Sequence, residues 1–133
     1  MTTSPSNSAA SLDGDFDVLG SMQFASFPLS IGGDFISLAG GGWGTPTVTY
    51  TATATGHSVL PIGSNVAIVF NGVGGGWTFS SAATGLSSLT ITNGTLTTSA
   101  IAITVLGDLV VGGTLSGSVA GTISVYAHVS VFG

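Results

Sequence analysis

Three of the chain's five acidic residues lie within five positions, in Asp13-Gly14-Asp15-Phe16-Asp17. Alternating carboxylates on an extended segment fall on one side, an arrangement suited to a hard cation such as Ca²⁺. Such a cation takes about six to eight oxygens. The glycine that an EF-hand carries at its sixth position is here Val18, and the glutamate at its twelfth is Phe24, so this is not an EF-hand. Asp13, Asp15 and Asp17 are therefore a candidate Ca²⁺ site, with a solvated acidic linker as the plain alternative. Two tryptophans lie in glycine runs, Gly40-Gly41-Gly42-Trp43-Gly44 and Gly74-Gly75-Gly76-Trp77. A loop-borne indole can stack on a sugar ring. The competing reading is that Trp43 and Trp77 cap the core, with the glycines letting backbone pass close to each ring.

Threonine occupies every odd position from Thr45 to Thr55, alternating with Pro46, Val48, Tyr50, Ala52 and Ala54. As a strand this has one pure threonine face. The array of Thr47, Thr49, Thr51 and Thr53 resembles the Thr-x-Thr rows of ice-binding proteins. That resemblance implies a surface where spaced hydroxyls and methyls order water. Thr90, Thr92, Thr95 and Thr97 extend the array if they lie beside it. Otherwise threonine is simply the β-former available for a wet face.

Catalytic chemistry finds little support. A serine hydrolase needs a hydroxyl, a base and an orienting acid. Serines, His57, His128, Asp34 and Asp108 are present, but no Gly-x-Ser-x-Gly elbow occurs. The clustered aspartates are too close together in sequence for a glycosidase pair. Without cysteine there is no thiol nucleophile, disulfide or thiolate metal site. The chain reads as a non-enzyme.

Charge composition narrows the partners further. Charged residues make up 4% of the chain, all of them Asp, against roughly 25% in an ordinary domain. With no Lys or Arg, nothing can neutralise phosphates, which argues against nucleic acid and anionic membrane surfaces. No salt bridge is expected in a chain without Lys or Arg, so stability is expected to rest on burial and hydrogen bonds. The chain is 44% apolar, with mean hydropathy of +0.68 and a formal charge of −5. Such a surface carries little charge repulsion and favours self-association. Met1 to Pro5 lacks the basic start and apolar run of a signal peptide. No apolar run reaches about 18 residues, so no membrane-spanning helix is expected.

The elements positioning these residues read as strands. Asn93-Gly94 is the dipeptide of a type I′ turn, and predicts a hairpin over 87–100 with Ile91 facing Leu96. Asn71-Gly72 reads as a second such turn. Ser21–Phe27, Thr45–Thr55 and Val66–Phe70 read as strands. Gly121–Phe132 reads as one long strand, with Tyr126 and His128 on a wet or subunit-contact face. Residues 1–19 read as a flexible arm carrying the acidic segment, and 20–133 as one all-β domain. The expected fold is an antiparallel β-sandwich or jelly roll of about eight to ten strands, with a closed β-barrel as the alternative. The expected function is a structural, self-assembling subunit of an extracellular filament, surface layer or sheath, joined through strand edges and the arm. A carbohydrate-binding module using the tryptophans is the first alternative, and an ice-binding surface the second.

Overall fold

A computed structural model describes residues 10–18, 28–38, 47–61, 65–117 and 120–132. The strands are β1 (Ala10–Leu12), β2 (Phe16–Val18), β3 (Leu29–Ile31), β4 (Phe35–Leu38), β5 (Thr47–Tyr50), β6 (His57–Val59), β7 (Ala67–Phe79), β8 (Ala83–Leu86), β9 (Ser88–Thr98), β10 (Ala102–Val105), β11 (Leu109–Val111), β12 (Thr114–Gly117), β13 (Thr122–Val125) and β14 (Val129–Val131). Every pairing among them is parallel. The chain winds as a β-solenoid of about five turns. One face stacks β1, β3, β5, the first half of β7, the first half of β9, β11 and β14. A second stacks β2, β4, β6, the second halves of β7 and β9, and β12. A third stacks β8, β10 and β13.

The register shows why these residues wind this way. Leu29, Val48, Ile68, Leu89, Leu109 and Val129 form one inward column, each 19 to 21 positions after the last. Ile31, Tyr50, Phe70, Ile91, Val111 and Val131 form the neighbouring column. Strands stack at about 4.8 Å, so like residues pack on like. Tyr50 and Phe70 stack with centroids 5.1 Å apart, and Phe70 meets Trp77 at 4.9 Å and Phe79 at 5.9 Å. Phe16 stacks on Phe35 at 5.0 Å. Backbone bonds carry the ladder through the corners, as in Gly32 N–H to Leu12 O and Gly112 N–H to Ile91 O, both 2.7 Å.

The antiparallel sandwich, jelly roll and barrel expectations are thus overturned, and the 87–100 hairpin with them. Ser88–Thr98 runs as one bent strand between parallel neighbours on both sides. Asn93-Gly94 is a corner between two faces. A type I′ turn needs positive φ at both central residues, and only Gly94 has it, at +85°. Asn71-Gly72 likewise lies inside β7. Among the described residues of Thr45–Thr55 the strand covers Thr47–Tyr50 and does not continue through Thr51–Thr55, and Gly121–Phe132 breaks into β13 and β14 around a bend. Residues 10–18, read as part of the arm, form two strands of the sheet. The Ser21–Phe27 strand lies outside the described residues.

Candidate functional site

The solenoid brings the chain's two histidines to two aspartates on adjacent turns. Asp34 sits just before β4 and His57 opens β6, one turn on. Asp34 Oδ1 lies 2.7 Å from His57 Nδ1 and accepts the Ser58 N–H at 3.3 Å, while the Asp34 N–H donates to Asp15 Oδ1 at 2.8 Å. Asp108 and His128 precede the paired strands β11 and β14. His128 Nδ1 lies 3.2 Å from Asp108 Oδ1, and the His128 N–H donates to the same oxygen at 3.1 Å. Both pairs are ionic when the histidine is protonated, so histidine supplies ion pairs the missing Lys and Arg cannot. An acid and a base are two-thirds of a hydrolase triad, but no hydroxyl bonds His57 among the described residues. Trp77 Nε1 is buried without a partner.

The Asp108 carboxyl is held below the ordinary carboxylate range by the His128 backbone N–H first, and by its side chain second. A depressed carboxyl favours the structure in its ionised form. Its contribution is present above the unfolded value, near pH 4, and is lost as pH falls through the folded value. We expect acidification below about pH 4 to loosen the last turn first, read as lower hydrogen-exchange protection at Val129–Val131. Asp108→Asn keeps an acceptor oxygen and flattens that pH dependence.

The most distinctive surface is the end of the last turn. Tyr126, Val129, Val131 and Phe132 are 74%, 59%, 71% and 63% exposed. Val129 and Val131 extend inward columns that are otherwise buried. With Leu109, Val111 and Leu115 they line an open depression of about 430 Å³. Among the described residues, β12, β13 and β14 each pair on one side only. At the opposite end Phe16 is buried and Leu12 half-buried. In the interior a void of about 10 Å³, roughly one water, lies between Leu29, Phe35, Val48, Tyr50, Leu60, Val66 and Ile68.

The candidate residues read from the sequence fall in different places. Asp13, Asp15 and Asp17 are exposed on the first turn. Asp15 is engaged by the Asp34 N–H, and no three acidic or histidine side chains converge among the described residues. Trp77 is 1% exposed, with its ring in the core. Trp43 lies outside the described residues. Thr47, Thr51 and Thr53 are exposed and Thr49 half-buried, but Val69 separates Thr49 from Thr90 in the outward column. Tyr126 and His128 lie on the exposed last turn. The Asp34–His57 pair was not foreseen. Its signal is the solenoid period: Asp108 and His128 are 20 residues apart, Asp34 and His57 23.

By its architecture the chain belongs to the class of parallel β-solenoids. Compared with known proteins, it matches no family model, no curated protein and no solved structure.

Proposed function

We propose that the chain is a structural, self-assembling subunit of an extracellular or cell-surface filament, layer or sheath. The observation that carries this is a row of sheet edges beside exposed apolar side chains. Among the described residues β12, β13 and β14 each pair on one side only, next to Val129 and Val131, which are 59% and 71% exposed. An unpaired edge beside apolar surface is a template for another chain. The rest of the surface, without lysine or arginine, offers little repulsion to stop association. Sedimentation or light scattering of the purified chain tests this, with species larger than the monomer expected at micromolar concentration. A strict monomer overturns it.

A water-ordering surface is the second reading, favoured by one observation. Thr95 and Thr97 sit in register with Thr114 and Ser116 on the next turn, all facing outward. Spacings of about 4.8 Å across strands and 6.7 Å along them form a regular hydroxyl grid. The expected result is thermal hysteresis that falls with Thr97→Lys. No hysteresis in the parent chain removes this reading.

A further inference from the structure

We infer that Asn93 is the attachment site of an N-linked glycan. This rests on the extracellular reading above and adds a covalent modification to it. Asn93-Gly94-Thr95 is the one Asn-x-Ser/Thr triplet in the chain, and that triplet is the acceptor pattern of secreted proteins. In a type I′ hairpin the Asn-Gly dipeptide is explained by turn geometry alone. In the solenoid only Gly94 has positive φ, so the backbone calls for glycine at 94 and makes no demand for asparagine at 93. A glycan also brings hydration to a chain with 4% charged residues.

The surroundings of Asn93 leave its amide open to a sugar. The corner lies on an inner turn, with β7 on one side and β11 and β12 on the other. It therefore projects sideways from the solenoid, away from any sheet edge. On the following turn Gly112 and Gly113 lie against it, and neither has a side chain to cover the amide. The fit is close: a Cβ at Gly113 would lie 2.5 Å from Gly94 O and 3.2 Å from the Asn93 carbonyl carbon. On the preceding turn Asn71 takes one amide hydrogen, Asn93 Nδ2 donating to Asn71 Oδ1 at 2.8 Å in an exposed bond. An amide nitrogen carries two hydrogens, and the second has no acceptor among the described residues. The glycosyl donor is a lipid-linked oligosaccharyl diphosphate. The Nδ2–C1 bond forms as the C1–O bond to the diphosphate breaks. The lipid diphosphate leaves with the electron pair, and the displaced Nδ2 proton passes to base. The product amide keeps one N–H for Asn71. The chain carries its own control, since Asn71-Gly72-Val73 is the same dipeptide at the same corner, one turn earlier, without the hydroxyl.

The test is secretion of the full chain, behind an added signal peptide, from a eukaryotic host. Protein inside the secretory compartment is read along with the medium. The parent chain is expected to carry one N-glycan, absent from Thr95→Ala. An amidase that releases it converts Asn93 to aspartate in the peptide map. Val73 is 75% exposed, so Val73→Thr is tolerated and is expected to add a second glycan at Asn71. A parent chain without a glycan overturns the inference, with or without one at Asn71 in Val73→Thr. A glycosylated chain that lacks the circular dichroism spectrum of the unglycosylated chain also overturns it, because the folded corner then has no room for the sugar. Sedimentation of the same material keeps this inference apart from the assembly reading. A glycosylated strict monomer removes assembly and leaves the glycan site standing, and an assembly of unglycosylated chains does the reverse.

Discussion

Phe70→Ala is expected to lower the unfolding free energy by about 4 kcal/mol, read from urea melts followed by circular dichroism. Phe70 is fully buried as the third residue of the inward column that runs from Ile31 to Val131. Its ring contacts Tyr50 on the previous turn and Trp77 and Phe79 across the interior. Truncation leaves a ring-sized cavity and removes three aromatic contacts at once. The solenoid geometry enlarges the consequence. Each turn is supported by its neighbours alone, so weakening a middle turn uncouples the two ends. Val69→Ala removes the adjacent, outward side chain and is expected to cost about 1 kcal/mol or less. A Phe70→Ala loss no larger than that of Val69→Ala contradicts an inward Phe70 column.

The all-β character is written in the composition, and the inward–outward alternation in strands such as Ile68-Val69-Phe70 and Leu89-Thr90-Ile91. Their direction of pairing is not. A half-buried strand alternates with period two whether its neighbour runs parallel or antiparallel. What separates the two is the recurrence of an apolar-x-apolar strand every 19 to 21 residues, often followed closely by glycine, as at Ile31-Gly32-Gly33 and Val111-Gly112-Gly113. Residues 51–56 break that rhythm before His57, and a glycine-rich stretch from Gly72 to Gly76 breaks it inside β7. The same geometry hid the Asp34–His57 pair, whose residues meet because each turn lays one on the next. The C-terminal segment, whose alternation reads as one long strand with Tyr126 and His128 on a wet or subunit-contact face, is instead two strands around a bend at Tyr126 and Ala127, a corner that period-two alternation does not announce.

The Asn93-Gly94 corner offers a direct contrast between solenoid and hairpin. In a type I′ turn both residues have positive φ, so glycine at position 93 is neutral or helpful. In the solenoid only Gly94 has positive φ. A Cβ there would lie 2.6 Å from Gly75 O, 2.7 Å from Gly72 O and 2.7 Å from the Trp77 ring. Two of these are backbone oxygens of β7, so the clash cannot be relieved by a rotamer change. Backbone strain and overpacking together predict that Gly94→Ala costs about 3 kcal/mol. Asn93 instead donates its side-chain amide to Asn71 Oδ1 at 2.8 Å, one turn back. Asn93→Gly loses that bond and adds unfolded-chain entropy, for an expected cost of about 1.5 kcal/mol. Asn71→Ala removes the same bond from the other side. In the double variant its added effect shrinks, since the interaction is already gone. Stabilisation by Asn93→Gly, with no coupling to Asn71, is the hairpin's signature and runs against a corner at this position.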